Sequence, residues 1–236
     1  CTPDDAHFLA SSLAIQAHKN VLCEKPLTTN IQEAVALEKL VMKHKTRFIV
    51  ANNYRLTPVF QSIKHAVARI EEPVISLETT YLHNMTKLVG KTAWRKNQSF
   101  LYGGAIHAID LAIWIASEPV INVMASQQVL RLKNKEFSMT NLHCVIEFAS
   151  GLLAHVWANS AIALPIHKTD VKLSTENSTM FADNKSGILH SYSKFSPQKV
   201  FSHHRFPTPL TIDLEVHLFN DFILKKKSTH SPLPTI

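Results

Sequence analysis

A chain of 236 residues with 45% hydrophobic content can bury one large core or two modest ones, which excludes a disordered segment. The formal charge of +7 is scattered, with Lys225-Lys226-Lys227 the longest basic run, and no zinc-finger spacing or aromatic-interleaved basic stripe accompanies it; this sets nucleic-acid binding aside. No apolar stretch has the length of a membrane span, and three widely spaced cysteines, Cys1, Cys23 and Cys144, argue against a disulfide framework and for a reducing, cytoplasmic setting.

In chain order, Thr2-Pro3 reads as a strand end without its strand. A helix follows from Asp4, with Asp4 or Asp5 as its cap and Phe8, Leu9, Ser12, Leu13 and Ile15 recurring at helical spacing. His18 stands where a left-handed residue is expected at that helix's end. The apolar run Val21 to Cys23 is a short buried strand that stops in Glu24-Lys25-Pro26. Pro26 disfavours the helical region for Lys25, so the charged pair stays extended at the carboxyl end of the strand. Thr28-Thr29-Asn30 caps a helix from Ile31 to His44, and Phe48 to Ala51 is a second buried parallel strand ending at Asn52-Asn53. Helix, strand, helix, strand is the second half of a doubly wound domain. None of the five glycines forms the G-x-G-x-x-G turn that cradles a pyrophosphate.

From Pro58 the pattern changes. A helix from Val59 to Arg69 precedes a strand from Val74 to His83, a polar loop through Trp94-Arg95, and a helix from Ala105 to Ala116. Strand patterns then cover Val120 to Leu132, His143 to Phe148, Leu152 to Asn159, Asp170 to Ser174, Thr179 to Ala182 and Ile188 to Tyr192, with a hairpin turn at Glu147 to Leu152. A final amphipathic helix covers Ile212 to Leu224. The expected architecture is the α/β remnant of a Rossmann domain, residues 1–57, followed by an α+β domain with a largely antiparallel sheet, residues 58–236.

Thr2-Pro3, Glu24-Lys25-Pro26, Asn52-Asn53-Tyr54-Arg55, Trp94-Arg95 and Gly103-Gly104-Ala105-Ile106-His107-Ala108-Ile109-Asp110 stand in an order that resembles the Gfo/Idh/MocA family, the glucose-fructose oxidoreductase and inositol dehydrogenase group of nicotinamide-dependent enzymes. The resemblance runs over nearly the whole chain. It implies that the first half of the nucleotide domain, and a further C-terminal helix, are missing from these residues.

Moving a hydride from a carbinol carbon to nicotinamide requires a group that takes the hydroxyl proton and one that stabilises the developing alkoxide. By resemblance Lys25 stabilises the reacting oxygen and His107 accepts the proton, which its ordinary pKa near 6.5 allows at neutral pH. The resemblance further implies that Thr2, Pro3, His7, Glu24 and Asn53 border the ribose and nicotinamide of NAD or NADP, and that Arg95 reaches cofactor or substrate. The same resemblance implies that Lys25, Tyr102, His107 and Asp110 contact the substrate, with Asp110 orienting or capping. Each residue also has a plain structural explanation: strand-end turns for Thr2, Pro3 and Asn53, a first-turn helix position for His7, surface charges for Glu24 and Lys25, and a helix-start histidine beside a carboxylate for His107. The other histidines, including His83, His203 and His204, read as surface or loop residues without metal-ligand spacing.

Gly103 occupies a position where many family members carry an aspartate. Either Tyr102 supplies a hydroxyl there, or the substrate differs, or activity is reduced or lost. The leading expectation is an NAD(P)-dependent oxidoreductase acting on a polyol, sugar or related hydroxylated small molecule, with this stretch inactive by itself. The rival is a catalytically silent relative acting as a binding or scaffold protein. Small or apolar residues alternating along Leu152 to Asn159 and Val171 to Ser174, on what would be the sheet face away from the helices, predict a homo-oligomer.

Overall fold

The computed structural model describes residues 2–85, 99–131, 138–162, 168–195, 200–205 and 211–224. The chain divides into two compact units, Cys1–Leu56 with Leu210–Ile236, and Thr57–Pro209. The first break falls one residue before the expected boundary. The C-terminal helix differs more: the sequence reading placed it in the second domain, and the structure packs it in the first unit.

In the first unit, a 3-10 turn at Asp4–Ala6 leads into α1 (His7–Gln16). The expected aspartate cap is absent: Pro3 and Ala6 occupy the cap positions and neither makes a side-chain cap hydrogen bond, so Asp4 and Asp5 act through their charge in the first turn. His18, at φ 55°, takes the expected left-handed conformation. Strands β1 (Val21–Glu24) and β2 (Phe48–Ala51) flank α2 (Ile31–His44), whose N-cap Asn30 accepts from the Gln32 N–H at 2.8 Å. The strands pair in parallel, from Val21 opposite Phe48 to Glu24 opposite Ala51.

Because side chains alternate along a strand, this small sheet buries both faces. Cys23, Phe48 and Val50 pack with Ile15, Leu37 and Val41 on one side. Leu22 and Ile49 lie on the other with Leu56 and with Leu214, Leu218, Phe219 and Phe222 of α5 (Thr211–Ile223). Arg47 stands over the Phe222 ring at 5.0 Å.

The second unit begins with α3 (Pro58–Val67) and β3 (Val74–Leu82). A π turn at Leu101–Ala105 runs directly into α4 (Ile106–Ala116). The remaining strands are β4 (Val120–Arg131), β5 (Ser138–Phe148), β6 (Leu153–Asn159), β7 (Lys168–Thr175), β8 (Ser178–Asp183), β9 (Ile188–Ser193) and β10 (Val200–Arg205). Together with β3 they form one sheet in the order β10-β9-β8-β7-β3-β6-β5-β4, antiparallel except for the β3–β6 pair. The hairpin turn between β5 and β6 has Gly151 at φ 88°, a conformation that favours glycine.

The alternation in β6 and β7 faces the other way from the expectation. Ala154, Val156 and Ala158 of β6 and Val171 and Leu173 of β7 are buried on the side that α4 and α3 cover, with Phe60, Ile63, Leu111 and Ile115. The open side carries Leu153, His155, Trp157 and Asn159 from β6 and Lys168, Asp170, Lys172 and Ser174 from β7, and these are exposed or half-buried. The helices needed the smaller and more apolar set, since only that set allows close packing against the sheet. Cys23 and Cys144 are buried free thiols, pushed up in pKa by burial. Among the described residues no helix is long and apolar enough to cross a membrane.

Candidate active site

Two clusters of sequence-predicted residues are formed, one in each unit. In the first, Glu24 and Lys25 project from the carboxyl end of β1, and Asn52 and Asn53 follow the carboxyl end of β2. In parallel α/β sheets this edge is the ligand-binding edge. Glu24 is exposed and Lys25 half-buried. The Asn52 N–H closes a tight turn onto the Val50 carbonyl at 2.9 Å, and a 3-10 turn then runs over Asn53–Leu56.

His7 fastens this edge together. Its ring is 5% exposed; Nδ1–H donates to the Pro26 carbonyl at 2.7 Å, and Nε2 lies 3.3 Å from the Thr2 carbonyl. One imidazole therefore joins the Thr2-Pro3 segment, the start of α1 and the Glu24-Lys25-Pro26 corner. Thr2 and Pro3 are exposed beside it.

Two buried acceptors here lack hydrogen-bond partners, Asn53 Oδ1 and Glu215 Oε1 of α5. Glu215 is 3% exposed, and its carboxyl is pushed up to about 7 by burial and by the Glu24 charge. The sequence reading passed over Glu215. Its signal was an acid set among Leu214, Leu218, Phe219 and Phe222, inside an apolar stripe.

In the second unit His107 lies in the first turn of α4, half-buried, with its ring stacked on Tyr81 of β3 at 5.2 Å and 29°. The Tyr81 hydroxyl is 3.0 Å from His83 Nδ1; His83 stands half-buried in the loop after β3, as a surface or loop residue should, and it also forms part of a row His107, Tyr81, His83. Tyr81 sits at an inward-facing position of β3 and is 6% exposed; Thr79, two residues before it, donates from Oγ1 to the Ala108 carbonyl at 2.9 Å, tying α4 to the strand.

Gly104, in the π turn ahead of α4, permits this approach. A Cβ there would stand 2.5 Å from Phe100 Cε2 and 2.8 Å from Tyr81 Cε1. π turns set into helices often mark functional sites. Tyr102 and Gly103 occupy the same turn, both half-buried, and Asp110 lies one helical turn beyond His107, also half-buried. Arg95 and Trp94 lie outside the described residues.

The pattern matches known proteins in both units. A family model described as "Oxidoreductase family, NAD-binding Rossmann fold" matches residues 1–52, and one described as "GFO/IDH/MocA C-terminal domain" matches residues 72–174. The chain belongs to the GFO/IDH/MocA oxidoreductase family. It is 31% identical over 127 residues to a levoglucosan dehydrogenase of Pseudarthrobacter phenanthrenivorans, covering 50% of this chain and 32% of that protein. It is 27% identical over 215 residues to an oxidoreductase of Formosa agariphila, covering 84% of this chain and 65% of that one. The chain thus spans less than two thirds of the length of these curated relatives. An inositol dehydrogenase homolog from Azotobacter vinelandii, crystallised with NADH and myo-inositol, shares the fold with a TM-score of 0.71 at 20% identity, over 84% of this chain and 53% of its own.

A nicotinamide nucleotide would find a fitting donor and acceptor set at the β1–β2 edge. Glu24 offers a carboxylate, Lys25 an ammonium and Asn53 an amide, which are donors and acceptors of the kinds that a ribose hydroxyl or a carboxamide can pair with. The five glycines, Gly90, Gly103, Gly104, Gly151 and Gly187, do not stand at the spacing of a pyrophosphate-binding turn.

Proposed function

We propose that this chain forms part of an NAD(P)-dependent oxidoreductase that transfers a hydride between nicotinamide and a hydroxylated small molecule, a polyol, a sugar or a related compound. The observation that carries this reading is the placement of Glu24, Lys25 and Asn53 at the carboxyl edge of two parallel strands, in a chain of this family.

The cofactor supplies the hydride acceptor. Lys25 stabilises the developing alkoxide, and its half-burial strengthens that interaction relative to water. His107 takes the hydroxyl proton as a neutral imidazole, its ring orientation held by the Tyr81 stack. Asp110 and Tyr102 flank it for substrate hydroxyls. Glu24, Asn53, Thr2 and Pro3 border the cofactor, Arg95 is assigned to cofactor or substrate, and His7 holds the strand-end corner in place through the Pro26 carbonyl. The test is spectrophotometric: reduction of NAD and of NADP by the intact protein against a panel of polyols and sugars, with Lys25→Met and His107→Asn as controls. Turnover unaffected by either substitution would remove the assignment.

Gly103 favours a second reading, a silent relative that binds without turnover, because it offers no carboxylate where many family members have one. Saturable ligand binding with no nicotinamide reduction would select that reading.

We also propose that the second unit associates with another copy. Strand β4 ends the sheet, and all of its residues are exposed, with Ile121 at 61%, Val123 at 55% and Met124 at 56%. A long apolar edge strand of this kind favours pairing or coverage.

A further inference from the structure

Strands β5 and β6 set two imidazoles side by side on the open face of the sheet. His143 of β5 stands opposite Trp157 of β6, and Val145 opposite His155, so the two histidines are diagonal neighbours across the ladder although 12 positions separate them in the chain. Diagonal neighbours on one face of an antiparallel pair are within reach of aromatic and long side chains. Nδ1 of His143 lies 3.3 Å from Nε2 of His155, and both side chains are exposed. The surroundings of His143 are ordered by hydrogen bonds. Its ring lies within 9° of parallel to the Trp157 indole, at 6.0 Å, and the indole N–H donates to Asn141 Oδ1 at 2.8 Å. The Asn159 amide donates to the same oxygen at 3.2 Å.

A bond from a histidine nitrogen to zinc is about 2.0–2.1 Å long. Two such bonds span the 3.3 Å between these nitrogens when they meet at about 107°, close to the tetrahedral angle that zinc adopts. The ion then stands to one side of the line between the nitrogens. Both rings are exposed, and a turn about each terminal torsion, which is soft, aims both lone pairs at it. We propose that His143 and His155 form a two-histidine chelate for a transition-metal dication, Zn²⁺, Ni²⁺ or Cu²⁺, on the open face of the second unit. Imidazole suits these ions, whereas Mg²⁺ and Ca²⁺ take oxygen ligands. Glu78, in register with His155 on β3, is engaged by Lys172 at 3.2 Å, and among the described residues no group of three His, Cys, Asp or Glu side chains could hold a metal. Water therefore fills the other positions, and the ion is exchangeable. It clips β5 to β6 on the side of the sheet away from α4 and His107, so the site stands independently of the proposed hydride transfer.

The test titrates the intact protein, without cofactor, with zinc chloride by calorimetry and with copper(II) chloride by proton–nitrogen NMR. Zn²⁺ should bind in the micromolar range and Mg²⁺ should not. Paramagnetic Cu²⁺ should broaden the Trp157 indole N–H signal, assigned by its loss in Trp157→Phe, because the ion stands beside the His143 ring. Loss of an outer-shell partner alone typically costs a metal site about 10- to 100-fold in affinity, so His143→Ala and His155→Ala should each weaken Zn²⁺ binding at least about tenfold. Both positions are exposed, and circular dichroism of the variants should match the parent. Parent-like Zn²⁺ affinity in the double variant, no Zn²⁺ binding by the parent at millimolar concentration, or a Trp157 signal that Cu²⁺ leaves sharp would each overturn the proposal. A failure to bind NAD(H) bears on the functional reading and not on this one.

Discussion

The ring of Tyr81 stacks on that of His107, and its hydroxyl reaches His83 at 3.0 Å, so the proposed proton acceptor is oriented by its neighbour's ring face while the neighbour's polar end is engaged elsewhere. His107→Asn in the intact protein should therefore lower alcohol oxidation by about 10²- to 10⁴-fold and abolish the fall in rate at acidic pH, which marks loss of the neutral imidazole. Tyr81→Phe keeps the stack and should retain that acidic limb. A pH–rate profile of the three proteins decides the matter.

Lys25→Met should lower kcat by roughly 10²-fold, equivalent to about 3 kcal/mol, with little change in the dissociation constant for NAD(H). The reason is that charge develops on the substrate oxygen only as the hydride leaves. Steady-state kinetics beside cofactor fluorescence titration separates the two quantities.

Gly104→Ala places a methyl group 2.5 Å from Phe100 Cε2, where Phe100 and Tyr81 are packed closely. The neighbouring rings must shift, at a cost of about 1–3 kcal/mol, lowering the melting temperature by about 3–10 °C. The displaced Tyr81 ring should also change the chemical shifts of His107 in proton NMR.

Stability should depend on pH through Glu215. Its folded pKa, about 7, lies above its ordinary 4.5, so its contribution is fully present below pH 4.5 and is lost as pH rises through 7. The upper bound on this loss is on the order of 3 kcal/mol. Urea unfolding should show stability declining between pH 5 and 8, and Glu215→Gln should flatten that decline.

Association through the sheet edge should weaken when charge is placed on β4. Val123→Lys, at a residue 55% exposed, should shift sedimentation towards monomer at micromolar concentration while circular dichroism stays unchanged. A parent protein that is already monomeric under those conditions would rule out the edge as a stable interface.

Local pattern was informative where one force dominated. The helix Ile31–His44 and the strand Phe48–Ala51 were legible to the residue, because an amphipathic stripe and a short continuous apolar run leave few alternatives. Strand β10 was missed because Val200-Phe201-Ser202-His203-His204-Arg205 lacks apolar alternation; it is held by backbone pairing to β9. The open sheet face was misassigned because Val171 and Leu173 alternate with Lys172 and Ser174 equally well whichever side the helices take. Among the site residues, the motif at Glu24-Lys25-Pro26 could be read from order alone. His83 and Glu215 could not, since each depends on a partner brought close by folding, Tyr81 to one and α5's docking surface to the other.

Strand β3 lies between β6 and β7, which are neighbours in sequence but separated in the sheet by this one inserted strand. The meander β4-β5-β6 and the meander β7-β8-β9-β10 can each form from local hairpins, whereas joining them requires a segment from about seventy or more residues upstream. Closing so long a loop is slow compared with hairpin formation. Insertion of β3 is thus the step expected to limit the folding rate of this unit: substitutions at Leu77 or Thr79 should slow refolding, and those in β10 should chiefly hasten unfolding.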